Sequence, residues 1–248
     1  MHLGSHRSTI ARLSLVGLAA VALAACAPLA AGGRPGGPSS TPERAGTLSD
    51  VQVGAALREA LHVATDQAVR STGRVDGYLA NQAIRILMPE SLQPLERGLR
   101  AFGQGQLVDE FILGMNRAAE RAAPAARAIF WDAIGGLTFG DARRIVGGGE
   151  TAATDYFRER TTDRLTVAFQ PSVAQALDEV GVTRQYRALL ALAQRVPAVR
   201  LEAFDLDRYV VGKALDGLFF VVGEEERRIR RDPAARVTAL LQEVFGRL

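Results

Sequence analysis

Asp109, Asn116 and Glu120, with Arg117 beside them, form the densest group of chemistry-bearing side chains in this 248-residue sequence. Their spacing is helical. Val108, Phe111, Ile112, Met115, Ala118, Ala119 and Ala122 fall on one apolar face, the three polar residues share one flank of it, and Gly114 lies on the other. Such a flank can wall a polar pocket that binds a ligand or partner or moves protons. Distance weakens the catalytic version. Eleven residues at ~1.5 Å each separate Asp109 from Glu120 by ~16 Å along a helix, whereas cooperating carboxylates sit ~5 to 9.5 Å apart. The alternative reading is structural: these residues border the core, pair with arginines from neighbouring helices and fix helix register.

A second group follows Gly147-Gly148-Gly149. If a helix starts there, its free amides, the hydroxyls of Thr151 and Thr154 and the Arg158 cation can hold a phosphate or carboxylate. No Gly-Lys-Ser/Thr follows, so this is not a P-loop. Glycines between two helices also serve as an ordinary C-cap and turn.

Other catalytic groups are scarce. The single cysteine, Cys26, ends Leu23-Ala24-Ala25-Cys26, after a start carrying Arg7 and Arg12 and an apolar run from Leu13 to Ala25. That run is short of the ~20 residues of a spanning helix and has the layout of an export signal. The tetrapeptide resembles the lipobox of bacterial lipoproteins. Residues 1–25 are therefore expected to be removed as a signal peptide, leaving Cys26 acylated at the mature N-terminus. Ala27 differs from the aspartate of inner-membrane retention signals, a resemblance that implies the outer membrane. Cleavage also removes His2 and His6, so His62 is the only histidine left. A lone histidine builds no metal cluster, and an acylated cysteine is neither ligand nor nucleophile. No catalytic residue, metal or cofactor is assigned. Carboxylates from separate segments, such as Asp132, Asp141 and Asp155, could still converge.

Charge points away from nucleic acid. The chain carries 30 basic and 27 acidic residues. Loss of Arg7 and Arg12 leaves 28 against 27, and setting aside Arg34, Glu43 and Arg44 leaves 26 of each from Thr47 onward. A nucleic-acid footprint needs a concentrated basic excess. Residues 26–47, rich in Gly, Pro, Ala and Ser, have too little apolar material to offset ordering. As a flexible tether of ~20 residues they would span ~25 Å. Residues 48–248 remain as one domain with a substantial core.

That domain reads as all-α, a compact multi-helix single domain with one short irregular or extended segment near residues 73–89. Ser49 and Gln52 give a capping-box signal, and Val53, Leu57, Leu61, Ala64 and Ala68 carry a helix to about Ser71. Asp76-Gly77 marks a turn, and Ile84, Ile86 and Met88 alternate. Helices are then expected over 90–102, 106–122, 124–137, 139–146, 151–160, 162–180, 183–195, 205–230 and 233–245. Asp232 before Pro233 reads as an N-cap, and Val237, Leu241 and Val244 continue the last apolar stripe. Leu218 to Val222 is apolar all round and is expected to be buried. In the run from Glu224 to Arg231, Glu224 with Arg228 and Glu226 with Arg230 are i,i+4 pairs, read as a solvated, self-paired face.

Several of these stretches carry a resemblance. Leu107-Val108-Asp109-Glu110-Phe111, Met115-Asn116-Arg117-Ala118-Ala119-Glu120, Thr138-Phe139-Gly140-Asp141-Ala142, Gly148 to Arg158, and Ala214-Leu215-Asp216-Gly217-Leu218-Phe219 together resemble the bacterial family named domain of unknown function 4197. The resemblance covers Leu48 to Gly246. It implies export and supplies no activity.

The favoured expectation is a non-enzymatic, membrane-tethered helical module that faces the periplasm and binds an envelope partner or a small ligand. Two alternatives stay open. A carboxylate-dependent periplasmic hydrolase would bring the 109–120 and 149–158 stretches together around a cleft holding two carboxylates within ~10 Å. A lipid carrier would enclose an apolar cavity.

Overall fold

Alternation of apolar and polar residues at helical spacing dominates the chain, and the computed structural model, which describes residues 50–179, 181–193, 205–235 and 242, is built of helices. Eight α-helices appear among the described residues: α1 (Asp50–Gly73), α2 (Gln93–Ala101), α3 (Gly105–Ala122), α4 (Ala126–Gly135), α5 (Phe139–Val146), α6 (Ala152–Glu179), α7 (Val182–Ala193) and α8 (Leu206–Arg231). Single 3₁₀ turns at Glu90–Leu92, Ala123–Ala125 and Pro233–Ala235 join or extend them. No strand occurs among the described residues, so the fold is all-α.

The long helices α1, α3, α6 and α8 make the centre. α8 packs on α6, α1 and α3; α4 covers α1 and α6; α2 lies on α3, and α7 lies on α3 and α6. Phe130 of α4 meets Phe157 of α6 at 5.3 Å and Phe219 of α8 at 6.1 Å between ring centroids. All three rings are buried. Tilted and edge contacts at these distances favour aromatic pairs beyond the area they bury.

Differences from the sequence reading have local causes. The two helices expected over 151–160 and 162–180 are one, α6. Thr161, Thr162 and Thr166 do not interrupt it, because each hydroxyl donates to the carbonyl four residues back, Phe157, Arg158 and Thr162 respectively. Pro171 also sits inside α6. The carbonyl it leaves without an N–H partner belongs to Val167, an exposed residue. Leu218, Phe219, Val221 and Val222 are buried as expected, but Phe220 is 43% exposed. Asp232 Oδ1 accepts from Ala234 N–H at 2.9 Å, in keeping with its expected capping role. Ser49, Val237, Leu241 and Val244 lie outside the described residues, as do residues 1–49 with Cys26.

The expected irregular segment is present and governs the site. Residues 75–80 and 82–84 are turns, and residues 85–89 belong to no helix. Ile84, Ile86 and Met88 are buried while Arg85 and Leu87 are exposed, which is the alternation of an extended chain lying across the core. Two glycines permit close packing. A Cβ on Gly77 would lie 2.4 Å from Ser71 O, and one on Gly217 of α8 would lie 2.6 Å from the Tyr78 ring.

Candidate functional site

Asn116, Arg117 and Glu120 meet the 76–86 segment. Asn116 is fully buried on α3. Its Oδ1 accepts from Ile86 N–H at 2.9 Å, and its Nδ2 donates to Ile86 O and to Ile112 O, both at 2.8 Å. One carboxamide thus replaces the partner peptide that an isolated extended segment lacks. Glu120, also buried, accepts on Oε1 from the N–H groups of Tyr78 (3.1 Å) and Leu79 (3.3 Å). Its Oε2 takes Arg117 Nη1 at 2.6 Å, and Arg117 Nη2 reaches Asp76 Oδ1 at 2.7 Å. Asp76 has φ of +65°, a left-handed conformation that Asp tolerates better than most residues. Tyr78 is sealed beneath this clamp, with its hydroxyl donating to Ala214 O on α8 at 2.6 Å. Burial, and then the Glu120 charge, pushes the Tyr78 phenol well above its usual range. Asp109 does not join the group. It is exposed and pairs with Arg100 of α2 at 2.8 Å.

Asp109 thus pairs with an arginine of a neighbouring helix, as the structural reading expected, whereas Glu120 pairs with Arg117 of its own helix, and what Asn116 and Glu120 fix to α3 is a non-helical segment.

Of the second group only Thr154 joins a site, around an anion that the protein supplies itself. Glu226 of α8 lies buried against the first turn of α6. Its Oε1 accepts from Ala153 N–H at 3.0 Å, and its Oε2 accepts from Thr154 N–H at 2.9 Å and the Thr154 hydroxyl at 2.8 Å. Arg230 completes the shell, donating to Glu226 Oε1 and to Ile145 O at 2.8 Å. Gly147 caps α5, as the turn reading has it, and the helix N-terminus that could have held an external phosphate or carboxylate holds Glu226.

Thr151 and Arg158 stand apart from this shell. Thr151 Oγ1 reaches Asp155 Oδ2 at 3.5 Å. Arg158 pairs with Asp216 at 3.4 Å and covers the Phe219 ring at 4.7 Å. The solvated face expected over 224–231 is accordingly only partly right. Glu226–Arg230 forms but is internal, while Arg228 pairs with Glu225 and Glu224 with Arg227.

The remaining acids are spread out. Asp132 pairs with Arg164 at 2.7 Å. Asp141 and Asp155 do converge, with Glu159 and Tyr156, on a hollow of about 280 Å³. Asp141 is already the capping partner of α5: it accepts from the Thr138 hydroxyl at 2.6 Å and the Thr138 N–H at 3.1 Å, and it pairs with Arg144. The Thr138 bonds, with help from Arg144, hold its carboxyl down at about 2. An acid so placed stays ionised at neutral pH and has no proton to give. His62 meets the edge of Trp131 at 5.2 Å, and the Trp131 indole donates to Asp66 at 3.0 Å. Among the described residues no group of three His, Cys, Asp or Glu side chains could hold a metal, and no helix is long and apolar enough to cross a membrane.

A hollow of about 610 Å³ lies beside His62, Asp66, Arg70 and Arg228, and two others bear on the lipid and small-ligand readings. An apolar one beside Leu57, Leu61 and Ile145 measures about 20 Å³, too small for an acyl chain. A larger groove of about 750 Å³ runs between the 83–93 stretch and α8, within the ~300–1,000 Å³ of small-molecule sites. Arg85, Leu87, Tyr209, Lys213 and Phe220 line it, and Tyr209 O–H donates to Leu87 O across one end at 3.0 Å. Sequence reasoning passed over this groove and, though it paired Glu226 with Arg230, the burial of Glu226 against α6. The alternation at 84–88 was visible, as was Lys213, the one lysine of the sequence, but nothing local joins residue 85 to residue 213.

No curated protein and no solved structure matches the chain. A family model described as a protein of unknown function, DUF4197, matches residues 47–246, the region that holds the α3 clamp, the Glu226 shell and the groove. The chain belongs to the DUF4197 family.

Proposed function

We propose that this protein is an exported bacterial lipoprotein, tethered through acylated Cys26 to the periplasmic side of the outer membrane. Its helical domain is a non-enzymatic module that binds an envelope partner or small ligand. The single observation that supports the non-enzymatic reading is the engagement of the polar motifs by the protein itself. Glu120 and Asn116 are occupied by peptide groups of 78–86, and the α6 amides by Glu226. The groove between 83–93 and α8 is the binding surface, since it joins volume, apolar wall and charge.

Replacement of Cys26 tests the tether. Cys26→Ser is expected to abolish acylation and move the protein from the membrane to the soluble fraction. Unchanged membrane retention would overturn the lipoprotein reading. Mass analysis of small molecules and proteins co-purifying with the native protein tests the module, and turnover of a periplasmic substrate would overturn it.

A further inference from the structure

The groove beside α8 has two sides of different chemistry. Leu87 and Phe220, 57% and 43% exposed, present apolar surface. Arg85 and Lys213 present cations, and neither makes an ion pair among the described residues. The Lys213 ammonium lies 5.9 Å from the centre of the Tyr209 ring. Of the two carboxylates in the lining, Asp216 is drawn to Arg158, leaving Glu90. The backbone adds to the imbalance. In an extended chain successive peptide groups point to opposite sides. Those of Ile86 turn to Asn116, so the Leu87 N–H turns the other way, toward α8, and has no partner among the described residues.

Resting on the reading of this domain as a binding module, we propose that the groove takes a single-chain amphiphile with an anionic head: Arg85, Lys213 and the Leu87 N–H hold the head while Leu87 and Phe220 hold the tail. Charge complementarity and volume carry the assignment. Two free cations against one free carboxylate favour an anion, and an open groove of about 750 Å³ suits one chain. It differs from an enclosed lipid cavity, because the tail lies along the surface of α8.

Calorimetric titration of the full chain carrying Cys26→Ser, which has no acyl chain of its own to compete, tests this directly. The probes are dodecanoate below its micellar concentration, dodecyltrimethylammonium, inorganic phosphate and vesicles of anionic phospholipid. Dodecanoate is expected to bind one per chain, with the cationic amphiphile at least about tenfold weaker and phosphate alone undetected. Arg85→Glu with Lys213→Glu should weaken dodecanoate about tenfold or more at unchanged melting temperature, and Glu90→Gln should tighten it. Equal binding of both amphiphiles, full binding by the charge-reversed variant, or binding to vesicles without binding of monomeric dodecanoate would each overturn the proposal. A protein partner captured on another face, with no amphiphile bound, would overturn this ligand assignment while leaving the module reading intact.

Discussion

Asn116 does for Ile86 what a neighbouring strand would do, accepting its N–H and donating to its carbonyl from one side chain. Removing it leaves two buried peptide groups unpaired at ~1–3 kcal/mol each. Asn116→Ala is therefore expected to cost about 2–4 kcal/mol and to lower the melting temperature by about 5–12 °C for a domain of this size, read by circular dichroism. Asn116→Asp should be no better, since a carboxylate cannot donate to Ile86 O or Ile112 O. Asp109→Ala, which removes one exposed pair with Arg100, should change stability by less than about 1 kcal/mol. A lost cellular phenotype at unchanged melting would instead mark the α3 flank as functional. Helical spacing made the shared flank of Asp109, Asn116 and Glu120 legible. What they bind was not legible, because Tyr78 and Ile86 reach α3 only through the tertiary path of a segment with no periodic signal of its own.

At the scale of elements, α6 and α8 are joined through a carboxylate. Glu226→Ala would take from Arg230 its carboxylate partner and leave the first turn of α6 without its anion. A loss of about 3–5 kcal/mol is expected from chemical denaturation, against less than about 1 kcal/mol for Arg158→Ala. The i,i+4 pairing of Glu226 with Arg230 was readable from spacing, but its burial was not, because α6 begins more than seventy residues away. The continuity of α6 was missed for a different reason. The threonines at 161 and 162 read as a break, whereas in the folded chain their hydroxyls bond back into the helix; Pro171, which fell inside the expected 162–180 helix, lies inside α6.

Contact between α8 and the 76–86 segment gives a second test at this scale. A methyl group at Gly217 would displace the Tyr78 ring, so Gly217→Ala should destabilise by about 1–3 kcal/mol, read by denaturant melting, despite its better helix propensity. The cap of α5 gives a pH signature. Asp141 titrates at about 2 in the fold against 3.8 when free. Its contribution is therefore fully present above pH ~4 and is lost as pH falls toward ~2. Melting across that window should fall more steeply for the parent protein than for Asp141→Asn. Identical slopes would exclude the cap as the cause.

Taken whole, the domain carries balanced charge from Thr47 onward and engages its polar motifs internally, which is why the proposed binding surface is the groove along α8. The helical class and most helix positions could be read from apolar periodicity, and Phe139–Val146 agrees to the residue. The groove could not, since its walls come from residues 83–93 and 209–220. Under the proposed function, a tether through Cys26 would place such a groove near a membrane. Intact-mass and peptide analysis of the protein extracted from native membranes tests this most directly. The account predicts a chain that lacks residues 1–25 and begins at Cys26 bearing acyl groups on its sulfur and its amino nitrogen. A mature chain that begins elsewhere, or carries Cys26 as a free thiol, would contradict it.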